Sequence, residues 1–206
     1  MNIMNFKNIM NFKKCKTIST ALIAACFFVA GCSDSPSGAP AAVATKTPVS
    51  IEAITAEAKG FTFGSPMSAR TVYVFFDAQC PHCGTLWYAA KPLKSQAKFI
   101  WIPVGILNAA STSQGATILA AADPVAAMDA HETSMMAKSG GISGATNSDT
   151  QKDAIKKNTA LMNRFRFASI PSVVAVNAKT GAVVTHEGAM STSELADFLG
   201  LQVPAQ

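Results

Sequence analysis

Thr71 to Ala90 reads TVYVFFDAQCPHCGTLWYAA, and this stretch decides the fold. Its first six residues are an unbroken β-branched and aromatic run, the composition of a strand buried on both faces. Pro81 stands where a helix can begin, because the first turn holds N–H groups with no intrahelical partner and proline lacks that donor. Cys80 and Cys83 bracket this start. Two thiols three positions apart at a helix N-terminus reach disulfide distance, and the first lies where free N–H groups and the helix dipole stabilise a thiolate. His82, between them, adds positive charge and hydrogen bonding. Together these effects lower the pKa of Cys80, speed its departure as a leaving group and make the disulfide form oxidising. Gly84 to Tyr88 continue the helix, and Pro92 ends or kinks it.

Lys98 to Ile106, KFIWIPVGI, is a second apolar strand. The unit is therefore β-α-β, with parallel strands and a right-handed crossover. From Thr112 to about Phe167 the pattern turns helical, with a Gly/Ser-rich break at Ser139 to Ser148 and helix starts at Asp123-Pro124 and Asp149. Val173 to Asn177 and Ala182 to Glu187 form a hairpin about Lys179-Thr180-Gly181. Ser191 and Glu194 have capping-box spacing and open a last helix through Leu199. On the other side of the CxxC strand, Ile51 to Lys59 predicts a short helix with Ile51, Ile54 and Ala58 on one side, stopped by Gly60. The order is β-α-β, a helical insertion at about 108–167, then β-β-α: an α/β fold about a central sheet.

The whole chain has 206 residues, 49% hydrophobic and 14% charged, with pI near 9.0, net charge +5 and five cysteines. That composition excludes disorder for most of the chain. The charge belongs to the first residues. Lys7, Lys13, Lys14 and Lys16 form a basic region without an acid, and Ile18 to Ala30 form an apolar run too short to cross a bilayer, which needs about 20 residues. The run ends in Val29-Ala30-Gly31-Cys32, which resembles the bacterial lipobox, so residues 1–31 are expected to be a lipoprotein signal and Cys32 the lipidated residue; ordinary cleavage beside a stray thiol is the alternative. Residues 32–50, rich in Pro, Gly, Ala and Ser, read as a flexible tether, leaving 51–206 as the domain. Removing the first 31 of 206 residues takes four of seventeen basic residues and none of twelve acidic ones, so net charge falls to +1. No nucleic-acid partner is implied. Cys15 and Cys26 leave with the signal and lipid takes Cys32, so Cys80 and Cys83 are the remaining thiols.

Other uses of the CxxC are weaker. Zinc normally takes four ligands, and the mature chain offers only His82 and the distant His131 and His186, which read as surface or packing histidines, so no metal is expected. Covalent haem attachment needs a His after the second Cys, where Gly84 stands. An inert structural disulfide closing so small a loop constrains the unfolded chain little.

FFDAQCPHC after a strand, the β-α-β unit, the helices and the Pro ahead of a hairpin resemble the thioredoxin-like periplasmic disulfide oxidoreductases, and IPVGILNAASTSQGATILAAADPVAA and NTALMNRFRFASIPSVV resemble segments of the DsbG/DsbC type. The likeness spans about Arg70 to Leu201. It implies a thioredoxin-like fold, a redox-active Cys80–Cys83 disulfide with no other cofactor, and a cis proline at Pro171 whose preceding residue, Ile170, presents backbone to a bound peptide. From the residues alone, Pro171 equally starts a strand in trans. Two features depart from that type. Members are V-shaped dimers with an N-terminal domain of several dozen residues, whereas about twenty residues and a tether precede Thr71 here, so a monomer is expected. Pro81-His82 is the dipeptide of the oxidase DsbA, where DsbG-type proteins usually carry Tyr for His, and Ile170 stands where they usually have Thr.

The expected function is thiol:disulfide exchange with exported proteins in the cell envelope, with a membrane redox partner that recycles the site. Oxidase, isomerase and reductase directions stay open. A reductase of metal-binding or cytochrome-maturation partners and a lipid-anchored binding module or holdase with a structural CxxC are the competing readings. The location expected is periplasmic, anchored through Cys32, with Ser33 favouring the outer membrane. Phe75, Phe76, Trp87 and Ile170 are either a peptide-binding surface or core, with core favoured. Asp77 is either a proton relay or a turn residue, with the turn favoured.

Overall fold

A computed structural model describes residues 48–144 and 149–203, all within the compact unit Ala44–Gln206. The expected signal, Cys32 and the tether up to residue 47 lie outside the described residues. Helix α1 spans Ile51–Glu57, with the Ser50 hydroxyl accepting from Ala53 N–H at its start. Strand β1 is Phe61–Gly64, β2 Thr71–Asp77, helix α2 Pro81–Ala90 and β3 Lys98–Val104. The insertion is three helices, α3 Ala109–Ala120, α4 Pro124–Met136 and α5 Asp149–Arg164. Strands β4 Ser172–Val176 and β5 Val183–Glu187 precede helix α6, Thr192–Leu199. Ser191 and Glu194 close the capping box that their spacing predicts, and Asp123 caps α4.

The sheet runs β1-β3-β2-β4-β5. β2 and β3 are parallel, Thr71 opposite Lys98 through Asp77 opposite Val104, and the other pairs are antiparallel. This is the expected thioredoxin-like α/β architecture, with one addition. β1 gives little signal in the sequence, because the three residues between Gly60 and Gly64 carry only a short alternation, Phe61 and Phe63 inward and Thr62 outward. Glycine is required at 64, where φ is +93° and a Cβ would meet the backbone of Lys94 and Ala97. Helix α3 begins three residues before the helical pattern expected from Thr112, and β3 ends two residues before Ile106.

β2 explains its own composition. Val72, Val74 and Phe76 point to one face, where Trp87, Leu86, Trp101, Leu195 and Leu199 pack under α2 and α6. Tyr73 and Phe75 point to the other, against Ile54 of α1 and Leu161, Met162 and Phe165 at the end of α5. A strand buried on both faces has no polar positions to alternate. Phe75, Phe76 and Trp87 are wholly buried, so they are core.

Candidate active site

Cys80 is the N-cap of α2 with extended backbone, and Pro81 fills the first helical position, so the chain turns from strand to helix at the first thiol. The Cys80 carbonyl accepts from Cys83 N–H at 3.0 Å, and Cys80 N–H donates to the Asp77 carbonyl at 3.0 Å. Both thiols are free. Cys80 retains 5% of its surface and Cys83 none, so an incoming sulfur reaches Cys80 first.

The two thiols are driven apart in acidity. The Cys83 side chain donates to the Cys80 sulfur, and with the backbone N–H groups of Cys83 and His82 it brings Cys80 down to about 7, against burial and the Asp77 charge. Burial pushes Cys83 well above its ordinary range, and the neighbouring Cys80 sulfur adds to this. His82 acts on Cys80 through its backbone N–H, while its imidazole is exposed to solvent. The larger influence, the second thiol itself, is one that the sequence reading did not weigh.

The Ile170–Pro171 peptide bond is cis. It sets the half-buried Ile170 beside the site, with Cys80 Sγ 3.8 Å from the Ile170 carbonyl. Glu187 of β5 holds this loop, accepting from Ala168 N–H at 2.7 Å and Ser169 N–H at 2.8 Å. Gly188 N–H donates to the Pro171 carbonyl at 2.7 Å.

Asp77 is buried, and its carboxylate accepts three backbone N–H bonds, from Gln79 at 2.8 Å, Ile106 at 2.8 Å and Leu107 at 3.1 Å. It ties the turn before Cys80 to the end of β3, the turn role favoured from the sequence. His131 is a packing histidine, fully buried: Nδ1 accepts from Ile142 N–H at 3.2 Å, so Nε2–H donates to the Ala78 carbonyl at 2.6 Å. Burial holds it below the ordinary histidine range, in keeping with that neutral tautomer. His186 faces Phe198 with ring centroids 5.7 Å apart. Among the described residues no cluster of three or more His, Cys, Asp or Glu side chains is placed to hold a metal ion.

Glu132 was not anticipated. It comes from α4, is 2% exposed, and its Oε1 has no hydrogen-bond partner. Its carboxyl lies against Gly84, one turn past Cys80, where any Cβ would overlap Oε2. Burial and then the Cys80 charge raise it to about 8. The signal was an acid four residues after Met128, on the buried stripe of a helix.

Paired thiols of unequal acidity at a helix N-terminus, beside the carbonyl that precedes a cis proline, define a thioredoxin-type site, and the chain belongs to the thioredoxin-like domain family, which matches residues 66–202. It is 30% identical over 139 residues to the thiol:disulfide interchange protein DsbG of Pseudomonas aeruginosa, covering 66% of this chain and 54% of that protein, so it spans about half the length of that relative. Its fold is similar to a periplasmic thioredoxin-like protein from Salmonella enterica serovar Typhimurium, with TM-score 0.58, 14% identity and coverage of 75% of this chain and 97% of that one. It is also similar to the catalytic domain of Proteus mirabilis ScsC, with TM-score 0.54, 16% identity and coverage of 72% and 92%.

Proposed function

We propose that this protein is a thiol:disulfide oxidoreductase of the bacterial cell envelope, exchanging disulfides with exported proteins through Cys80 and Cys83. The observation that carries the reading is the unequal pair: Cys80, the less buried thiol, at the N-cap of α2 and held below its ordinary range by the Cys83 side chain, and Cys83 fully buried behind it and held above its own. A thiolate near neutral pH is both a competent nucleophile and a good leaving group. The name of the Pseudomonas relative supports the same chemistry.

In the oxidising direction a substrate thiolate attacks the Cys80 sulfur of the Cys80–Cys83 disulfide, forming a mixed disulfide, and Cys83 leaves as a thiolate that takes up a proton. A second substrate thiolate then attacks its own partner's sulfur in the mixed disulfide and expels Cys80. The substrate loses two electrons and the pair gains them. In the reverse direction the Cys80 thiolate attacks a substrate disulfide, one substrate sulfur leaves, and Cys83 closes on Cys80 to release the other. The Ile170 carbonyl, beside Cys80, offers an acceptor for the N–H of an extended peptide carrying the reacting sulfur.

The setting we propose is the periplasm, with the chain tethered through an acylated Cys32, acting as a monomer and recycled by a membrane redox partner. The basic, apolar and VAGC segments of the sequence support the anchor, and the periplasmic Salmonella fold neighbour is in keeping with the compartment. Among the described residues no helix is long and apolar enough to cross a membrane.

The test is a titration of the Cys80/Cys83 couple in a glutathione series, joined to insulin reduction and oxidation of reduced ribonuclease. The wild type is expected to exchange in at least one assay, and Cys80→Ala in neither. Equal behaviour of the two proteins sinks the proposal, and the measured potential assigns the direction.

A further inference from the structure

Beside the active-site helix lies a cavity of about 190 Å³ lined by Pro81, Gly84, Thr85, Tyr88, Glu132, Met135 and Met136. Its volume is below the roughly 300 Å³ at which small-molecule sites begin, so it suits one side chain. The lining is mostly apolar carbon and thioether, with Met136 70% exposed at the rim. The exception is Glu132, 98% buried and with an unpaired Oε1. A buried carboxyl left without a partner costs stability, and native structures rarely keep one without a use. The site is built for it: Gly84 lacks the Cβ that would displace the carboxyl, and α4 is fixed to α2 by Asp129, which accepts from Trp87 Nε1 at 2.6 Å and pairs with Lys91 at 2.5 Å.

We propose that this cavity is a specificity subsite that receives a lysine or arginine side chain of the polypeptide exchanging with Cys80, its methylenes against Met135, Met136 and Tyr88 and its cation on Glu132. The inference rests on the exchange function proposed above. Pro81, which directly follows Cys80, forms one wall, so the chain that delivers its sulfur to Cys80 passes the cavity mouth. Gly84 and Thr85 lie about 6 to 7 Å along the helix from Cys80, the span of about two residues of extended chain. The basic residue therefore belongs about two positions from the reacting cysteine. A cation is favoured over a neutral donor because the partner is an acid in an apolar setting, where an opposite charge compensates ionisation. Asp129 and Lys91 already neutralise one another, with the Lys91 ammonium over the Tyr88 ring, and Glu132 is the one acid among the residues lining the cavity.

The test uses cysteine peptides that carry lysine, norleucine or tyrosine at each of the four positions on either side of the cysteine, with the oxidised protein. Lysine is expected to exceed norleucine on the order of tenfold in second-order rate at one or two positions. Glu132→Gln is expected to bring the ratio below about twofold, whatever it does to the norleucine rate. The ratio cancels any change in Cys80 reactivity. Norleucine or tyrosine matching lysine at every position overturns the subsite, as does a lysine preference that survives Glu132→Gln. Serine-for-cysteine peptides separate this inference from the exchange reading: the Glu132 carboxyl carbon resonance is expected to move with the lysine peptide and not with norleucine. If it moves while no peptide exchanges, the subsite stands and the exchange function falls; if it does not move, the subsite falls.

Discussion

At the scale of single residues, the site is a set of charges arranged around one sulfur. In the reduced wild type Cys80 is expected to alkylate with a midpoint of about 7, and Cys83 to stay unreactive well beyond its ordinary range, checked by iodoacetamide rates with the labelled thiol read by peptide mapping; Cys83→Ala is expected to raise the Cys80 midpoint. Asp77 opposes the Cys80 thiolate, so Asp77→Asn is expected to move that midpoint below 7. It also places an amide where three N–H groups converge, costing about 1 to 3 kcal/mol in urea unfolding. Glu132 acts on stability in the opposite sense to an ion-paired acid. Its folded-state pKa of about 8 lies above the ordinary 4.5, so between those values the folded chain holds a proton that the unfolded chain has lost. Its contribution therefore weakens as pH rises from 4.5 to 8 and is level above that. Unfolding of wild type and Glu132→Gln across pH 5 to 7 is expected to show the variant gaining on wild type, by up to about 1.4 kcal/mol per pH unit. A constant gap would contradict the raised pKa. Of these groups the cysteines and Pro81 were legible in the sequence, because their spacing and neighbours carry the meaning, while the cis Pro171 was legible only through the family resemblance. Glu132 was not, since of the two acids in DAHETSMM neither declares its burial until α4 is docked on α2.

At the scale of elements, short polar ties decide where each segment stops. Asn158 of α5 is fully buried, donating to the Lys59 carbonyl at 2.8 Å and the Pro103 carbonyl at 2.9 Å and accepting from Lys59 N–H at 2.9 Å. One amide thus joins the segment after α1, the strand β3 and the helix that covers them. Asn158→Ala is expected to cost about 2 kcal/mol and lower Tm by about 4 to 8 °C, read by thermal unfolding. An unchanged Tm would show that water replaces all three bonds. The element types were legible where period and caps agree, as in β2, the Asp123 start of α4 and the Ser191–Glu194 box. β1 was not, because its strand character comes from pairing Phe61 with Trp101 and Phe63 with Phe99, contacts about forty residues away in the chain.

At the scale of the molecule, the sheet separates two apolar clusters, and the CxxC helix belongs to one of them. α3 and α4 of the insertion reach the site side: Gln114 bonds the Gln79 side chain and the Gly140 carbonyl, which draws the segment before Cys80 toward the loop after α4. The proposed anchor, Cys32, lies outside the described residues. Cys32→Ser is expected to move the protein from the membrane fraction to the soluble fraction and remove acyl labelling, with peptide exchange rates unchanged. A variant that stays with the membrane would refute the Cys32 tether. The sequence by itself determined the strand, the helix start and the two thiols, because hydrophobic run, proline and spacing act over a few neighbouring residues. That Cys83, one helical turn further in, is the more deeply buried thiol also follows from the spacing; only the tertiary structure decided how far each thiol is buried, what sets its acidity and which acid lies beside the helix. Those depend on burial and on charges brought together from α2, α4 and the Ile170–Pro171 loop, and low-dielectric proximity is a property of the packed chain.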